Sequence, residues 1–303
     1  MTYSQRAAVI TVIAMMPVCA SAATPRQIAE VLPDAAPAEE FLPTSGGHQD
    51  LEPGWRAYQR GDIAEALKVY REASDASPKD ASLWYDVGCL YALNHEFDNA
   101  RDALAQALTL HPQLAAAHDA LGQLDEQQGD LERAVASYLR ARDLEPENTR
   151  ILRHLARMQL RRKNAPAARE ALEQLIRFEP SDAEARYQLG VVELRANEPD
   201  LAITEFRNAL EHAPNHVMAW NGLGLAYARI GVFAEAMAAL EKAKAIQPDS
   251  ATTQTNFGVV AAAQEHWHDA RDAWQRALEM SPDFAPAAQN LHALDALTTP
   301  SSQ

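Results

Sequence analysis

The chain has 303 residues, of which 47% are hydrophobic, only 7% are aromatic and about a fifth are alanine. Because alanine is a strong helix former and a poor strand former, this composition favours closely packed helices over a sheet-rich core. The formal net charge of −15 argues against a general nucleic-acid binder and against electrostatic attachment to a membrane surface, since both need a basic footprint.

The first 22 residues have the pattern of a signal peptide. Arg6 precedes an apolar stretch from Ala7 to about Val18, and Ala20-Ser21-Ala22 provides small residues at the spacing that signal peptidase needs. The stretch is too short for a membrane span, which takes about 20 apolar residues. Cleavage near Ala22 is therefore expected, and it would release a soluble, exported protein into a bacterial periplasm.

Two alternatives for this segment stay open. It could be a buried helix or a short uncleaved anchor. It could also be lipidated at Cys19, although the preceding Val18 is larger than a lipoprotein signal prefers. Residues 23–46 follow with four prolines, and this composition predicts a proline-rich mobile leader.

A period of 34 residues organises the rest of the chain. It is marked by seven prolines: Pro78, Pro112, Pro146, Pro180, Pro214, Pro248 and Pro282. With each proline counted as position 32, the repeats are 47–80, 81–114, 115–148, 149–182, 183–216, 217–250 and 251–284. Position 20 is alanine in every repeat, and position 8 is glycine in all but the fourth. Small residues at these positions allow two antiparallel helices to approach closely.

The second and sixth repeats carry the fullest set of recurring residues. In the second repeat these are Trp84, Val87, Gly88, Tyr91, Ala100, Leu104, Ala107 and Pro112. In the sixth they are Trp220, Leu223, Gly224, Tyr227, Ala236, Leu240, Ala243 and Pro248. The pattern resembles the tetratricopeptide repeat (TPR) family. The resemblance implies an all-α fold, a right-handed superhelical solenoid of antiparallel helix pairs, in which neighbouring repeats bury a shared core.

Residues 285–303 are expected to form a capping helix and a tail, with Pro286 at the start of an amphipathic segment. No phosphate-binding loop, zinc-protease motif, nucleophile elbow or EF-hand loop occurs in the sequence. The pair His266 and His268 offers two imidazoles without a third ligand nearby, which is weak support for a metal site. We therefore predict no catalytic residues, no metal, no cofactor and no enzymatic activity.

In the TPR family the first helix of each repeat, helix A, lines a concave groove, with positions 2, 5, 9, 12 and 13 facing a partner. Four arginines of the fourth repeat lie on one helix face at 100° per residue. Position 13 is arginine in three successive repeats. The residues predicted to bind a partner are Arg150, Arg153, Arg157, Arg161, Tyr187, Arg195, Asn221, Leu225 and Arg229.

Four like charges on one helix face repel each other, so something must offset them. An acidic partner could do so through bidentate contacts with carboxylates. Asp119 and Glu126 could also do so, because they occupy groove positions of the adjacent repeat. The sequence leaves these two explanations open.

These features together predict an exported protein–protein interaction scaffold or assembly factor for the cell envelope. Its groove would bind an extended peptide or a partner helix that carries acidic and apolar residues. The alternative is a binder of an anionic small molecule or glycan through the arginines of the fourth repeat.

Overall fold

The computed structural model describes residues 51–298, and this part of the chain contains fifteen α-helices and no strand. The predicted signal peptide and leader, and the first residues of the first repeat, lie outside the described residues. The helices are α1 (Glu52–Gln59), α2 (Ile63–Ala76), α3 (Ala81–Leu93), α4 (Phe97–Leu110), α5 (Ala115–Gln127), α6 (Leu131–Leu144), α7 (Thr149–Arg161), α8 (Ala165–Phe178), α9 (Ala183–Arg195), α10 (Pro199–His212), α11 (Val217–Arg229), α12 (Phe233–Ile246), α13 (Ala251–Ala263), α14 (Trp267–Met280) and α15 (Ala285–Thr298).

The helix boundaries follow the 34-residue period. Each odd-numbered helix from α3 to α15 begins 34 residues after the previous one, and each even-numbered helix does the same. Odd-numbered helices are the A helices of the repeats, and even-numbered helices are the second, or B, helices. Helix α1 has only 8 residues, and Pro53 occupies its first turn, where the missing N–H has no partner to lose.

Close contact between the two helices of a repeat depends on the small residues. The alanine at position 20 has no exposed surface in any of the seven repeats. Position 8 faces the side chain at position 24 of the partner helix: a Cβ added to Gly122 would lie 2.5 Å from the ring of Tyr138. The fourth repeat has alanine at position 8 and Leu172, a smaller side chain than tyrosine, at position 24.

The turn between the A and B helices needs a left-handed residue at position 15 in every repeat. Three of these residues are glycines with φ near +78°: Gly61, Gly129 and Gly231. Four are not glycine and have φ between 58° and 63°: His95, Lys163, Asn197 and Glu265. The turn geometry is therefore kept even where the residue type disfavours it.

The described residues form two compact units, one of residues 51–171 and the other of residues 172–298. Within each unit, helices that follow each other in the chain contact each other, and A helices of neighbouring repeats also meet, as α9 does with α11 and α11 with α13. This arrangement confirms the predicted all-α solenoid of antiparallel helix pairs. None of the helices described has the length and apolar character needed to cross a membrane.

Candidate functional site

The A helices of the third and fourth repeats carry a buried polar network centred on Asp119. This carboxylate is 1% exposed, and its Oδ1 lies 2.9 Å from His154 Nδ1. Its Oδ2 accepts a hydrogen bond from Gln123 Nε2 at 2.9 Å and lies 3.3 Å from the guanidinium of Arg150. A buried carboxylate needs several such hydrogen-bond and charged partners, because burying the charge without them is unfavourable in free energy. Asp119 therefore joins α5 to α7.

Glu126 is the second centre of charge between the same two helices. Its Oε2 accepts hydrogen bonds from Arg157 at 2.7 Å and from the hydroxyl of Tyr138 at 3.2 Å, and its Oε1 accepts one from Arg161 at 3.1 Å. Tyr138 is fully buried, and desolvation raises the pKa of its phenol well above the ordinary value, so the hydroxyl keeps its proton and donates.

Arg150, Arg157 and Arg161 of the fourth repeat are thus paired inside the protein. Arg150 pairs with Asp119, and Arg157 and Arg161 share Glu126. Of the two explanations that the sequence leaves open, internal pairing with the third repeat holds for these three. The fourth arginine, Arg153, has an exposed side chain.

Sequence reasoning missed two further ion pairs of this unit. Arg162 forms a two-bond contact with the carboxylate of Glu132, at 2.9 and 2.7 Å. Arg101 contacts Asp125 at 2.6 Å, and Asp125 is 2% exposed. A signal for the second pair does exist: Asp125 stands at position 11, where the second and sixth repeats carry a tyrosine, and a buried acid at a core position needs a cation.

In the unit of residues 172–298, the predicted contact residues have a different environment. Tyr187 is half-buried, and its ring centroid lies 4.9 Å from that of His216 and 6.0 Å from that of Phe206. Burial raises the pKa of the Tyr187 phenol, Glu184 adds to this shift and Arg195 opposes it. Tyr187 is therefore a neutral aromatic surface with a hydroxyl donor.

Arg195 and Arg229 lack the carboxylate partners that the fourth-repeat arginines have. Arg195 is exposed, and Arg229 is half-buried with one hydrogen bond, to Asn197 Oδ1 at 3.3 Å. Burial lowers the pKa of Arg229. Within residues 51–298 neither guanidinium forms an ion pair. Leu225 is half-buried against the core of its unit and stands one turn before Arg229 on α11, so apolar and cationic side chains follow each other on this helix.

Asn221 differs from its prediction as a partner contact, because it is only 2% exposed. Its amide donates to Thr253 Oγ1 at 3.0 Å and to the Val217 carbonyl at 3.0 Å, and its oxygen accepts from Asn256 Nδ2 at 3.0 Å. The physical reason is that α11 and α13 lie against each other, so position 5 of one repeat meets positions 3 and 6 of the next. The side chain of Asn221 joins two repeats instead of facing a partner.

The described residues contain no group of three or more histidine, cysteine or acidic side chains that could hold a metal ion. Cys89 is a free, buried thiol, and desolvation raises its pKa far above the ordinary value. A thiol in this state is a poor nucleophile. His268 Nδ1 lies 3.4 Å from a carboxylate oxygen of Asp272 and 3.9 Å from one of Asp269, on an exposed surface. The chemistry available on the A helices is therefore hydrogen bonding, charge and apolar contact.

Comparisons with known proteins identify similar sequences and similar folds. BBSome complex member BBS4 of Bos taurus is 25% identical over 226 residues, which cover 73% of this chain and 43% of that protein. The chain thus spans less than half the length of this relative. The C-terminal part of a TPR repeat-containing protein from Cytophaga hutchinsonii has a TM-score of 0.62 and 18% identity, over 80% of this chain and 99% of that one.

A second solved structure, YrrB, is described as a TPR protein with an unusual peptide-binding site. It has a TM-score of 0.52 and 23% identity, over 62% of this chain and 96% of that one. A family model described as tetratricopeptide repeat matches residues 51–115, 120–183, 164–207 and 187–251. These segments cover more than half of the chain, and together with the 34-residue helix pairs they show that the protein belongs to the tetratricopeptide repeat family.

Proposed function

We propose that this protein is an exported interaction scaffold or assembly factor that binds an extended peptide or a partner helix with acidic and apolar residues. TPR proteins mediate protein–protein interaction and assembly. The description of YrrB names a peptide-binding site, and BBS4 is a member of a complex. Both relatives support a binding role in place of a catalytic one.

One observation carries the choice of partner chemistry. Arg195 and Arg229 stand at position 13 of neighbouring repeats, and neither forms an ion pair in the described part of the chain. The N–H groups of a half-buried, charged guanidinium need hydrogen-bond acceptors. A carboxylate is the strongest of these, because its two oxygens can accept two parallel hydrogen bonds from one guanidinium. Leu225 and Tyr187 supply apolar surface on the same A helices. We infer that the partner's acidic groups meet the fifth and sixth repeats.

The fourth-repeat arginines have a supporting role in this proposal. Arg150 and Arg157 hold the third and fourth A helices together through Asp119 and Glu126. Arg161, whose side chain is 35% exposed, and the exposed Arg153 extend the positive surface at the edge of that network. A partner that reaches them would gain long-range attraction, which is weakened by salt.

The test uses the full chain and a fluorescein-labelled nonapeptide of alternating glutamate and leucine, measured by fluorescence anisotropy. The double variant Arg195→Glu/Arg229→Glu should weaken binding by tenfold or more, because it replaces two attractions with repulsions. Arg207→Glu is the matched control, since Arg207 is an exposed arginine on a B helix outside the groove positions. Equal affinity of the double variant and the control would contradict the proposal.

The same assay separates a protein partner from an anionic small molecule or glycan. Binding of a peptide should also fall in Leu225→Ala, because that variant removes apolar contact area. Binding of a simple polyanion, for which dextran sulfate is the probe, should fall with salt and stay unchanged in Leu225→Ala. A groove that binds dextran sulfate but not the nonapeptide would favour the second function.

We further propose that the scaffold works outside the cytoplasm, in cell-envelope biogenesis. The charge, apolar stretch and small residues of residues 1–22 support this, and they predict a mature protein that begins at Ala23. N-terminal sequencing of the protein recovered from the periplasmic fraction of the native host tests it. A protein found only in the cytoplasmic fraction with residues 1–22 intact would contradict export.

A further inference from the structure

The seventh repeat lacks the aromatic pair that the second and sixth repeats carry at positions 4 and 11. The second repeat has Trp84 and Tyr91 at these positions, and the sixth has Trp220 and Tyr227, whereas the seventh has two smaller residues, Gln254 and Ala261. The helices around these positions keep the same length and register. Positions 4 and 11 of the seventh repeat therefore carry smaller side chains than in the second and sixth, although Phe257 and Trp274, at positions 7 and 24, are larger than their counterparts there.

In the second and sixth repeats the tryptophan has a defined place. The indole N–H of Trp84 donates to the carbonyl of Pro78 at 3.1 Å, and that of Trp220 donates to the carbonyl of Pro214 at 2.8 Å. The prolines stand at position 32 of the preceding repeat, so each indole closes the junction between two repeats. Trp220 also packs against the apolar core of its unit.

The third, fourth and fifth repeats fill positions 4 and 11 in other ways. In the fifth, Arg186 donates to the carbonyl of Pro180 at 2.7 Å and pairs with Glu205 at 2.9 Å. In the third, position 11 is Asp125, which is held by an arginine of the preceding repeat. In the fourth, Leu152 and Gln159 are both buried. The fourth and seventh repeats thus have neither an aromatic pair nor an ion pair at this place, but Leu152 and Gln159 are buried, whereas Gln254 and Ala261 in the seventh are half-exposed.

A depression of about 310 Å³ lies at this place, between α12, α13 and α14. Gln254 and Ala261 line it together with the apolar side chains of Met237 and Phe257. The rest of the lining is mostly polar and charged and includes Glu241, Lys244, Asp269, Asp272 and Arg276. The ammonium of Lys244 lies 5.8 Å from the centroid of the Phe257 ring, so a cation stands beside the aromatic side chain of the depression. In the described part of the chain, no side chain donates a hydrogen bond to the carbonyl of Pro248, the counterpart of Pro78 and Pro214.

We propose that this depression binds a tryptophan side chain presented by a partner protein. The incoming indole takes the place that Trp220 occupies one repeat earlier, contacts Phe257 and Met237, and donates its N–H to the carbonyl of Pro248. Thioether–aromatic and cation–aromatic contacts favour such a ring. None of the lining residues stands at position 2, 5, 9, 12 or 13, so this surface is separate from the groove of the proposed function.

The test is an NMR titration of the isotope-labelled full chain with N-acetyl-tryptophanamide, with N-acetyl-leucinamide as the comparison ligand. Saturable shifts at Gln254, Phe257 and Ala261, with N-acetyl-leucinamide at least tenfold weaker, are expected. The variant Gln254→Trp fills the depression and should abolish these shifts. Glu211→Trp is the matched control, because it places the same indole at an exposed position of α10.

A second variant covers the case in which Gln254→Trp does not fold. Met237→Glu changes a half-exposed side chain of α12 and places a carboxylate on the floor of the depression, which should weaken binding at least tenfold without filling it. Shifts that are absent, that fall on other residues, or that persist unchanged in either variant would overturn the proposal. Retention of groove binding in Gln254→Trp, measured with the nonapeptide, would show that the two surfaces act separately.

Discussion

At the scale of single residues, the charges on the A helices have two different surroundings. Glu126 has a side chain that is 17% exposed and receives hydrogen bonds from two arginines and one tyrosine. Arg195 and Arg229, in the other unit, meet no carboxylate among residues 51–298. An arginine that already has an internal ion pair must give up that ion pair to bind an acidic group of a partner protein. An arginine without an internal ion pair loses none when it binds such a group. The proposed function therefore predicts that specific recognition depends more on Arg195 and Arg229.

Neutralising Glu126 tests whether its ion pairs stabilise the fold. Glu126→Gln leaves Arg157 and Arg161 without a negative charge on a helix face that already carries like charges. We expect the free energy of unfolding to fall by about 1–2 kcal/mol, as for a lost hydrogen bond to a charged group that is partly exposed. Urea unfolding followed by circular dichroism measures the change, and added salt should reduce it.

Glu132→Gln is the matched control for this change. Its side chain is 75% exposed and pairs with Arg162, so it should cost less than about 0.5 kcal/mol. If the two variants lose the same stability, the Glu126 contacts contribute no more than a surface ion pair does.

At the scale of helices and turns, backbone geometry is more regular than residue type. All seven turns from helix A to helix B place a residue with positive φ at position 15, whether or not it is glycine. Lys163 has φ 58°, and its N–H still donates to the carbonyl of Leu160 at 3.0 Å. A residue with a Cβ pays roughly 1–2 kcal/mol for this conformation. The turn is therefore imposed by the packing of the helices that it joins.

Lys163→Gly should stabilise the protein, because glycine adopts a positive φ without steric cost. Part of the gain is offset by the greater freedom of glycine in the unfolded chain, which leaves about 0.5–1 kcal/mol. Lys242→Gly is the matched control: Lys242 is an exposed lysine inside α12, where glycine should cost about 1 kcal/mol. The two substitutions should move the urea midpoint in opposite directions, and a fall for both would contradict the prediction.

At the scale of the whole molecule, the 34-residue period was sufficient to predict the helix pairs, since spacing and small residues determine which faces pack. The period did not predict which side chains meet across repeats. The family pattern predicts a groove contact for Asn221, yet the side chain is buried against Asn256, because position 5 lies close both to the groove and to the next A helix. Asp119 and His154 have the same 35-residue separation. Paired polar residues at positions 5 and 6 of successive repeats are the signal that could have identified both contacts.

The type of residue at position 15 gave equally little information. Three glycines pointed to the turn, but histidine, lysine, asparagine and glutamate at the same position did not. Their conformation results from contacts made elsewhere in the repeat. For the depression of the seventh repeat, the sequence shows only that two aromatic residues are absent. That three helices line the depression is seen only in the structure.

Because contacts in a repeat array link neighbours, a defect at one junction should spread only a short distance. Asn256→Ala removes the donor to Asn221 Oδ1 and leaves that buried oxygen without its partner, which should cost about 1–3 kcal/mol. Hydrogen exchange followed by mass spectrometry should show faster exchange in α11, α13 and α15. Exchange in α3 and α5 should not change.

Gln254→Ala, which truncates a half-exposed amide on the same helix, is the matched control and should leave the exchange rates of α11 unchanged. The Asn256→Ala result would decide between two modes of unfolding. Faster exchange limited to the helices around the lost hydrogen bond means that the array opens repeat by repeat, so a partner could order one end of it independently. Equal acceleration in all helices from α3 to α15 would instead mean that the described repeats unfold as one cooperative unit, and binding at any repeat would then stabilise all of them.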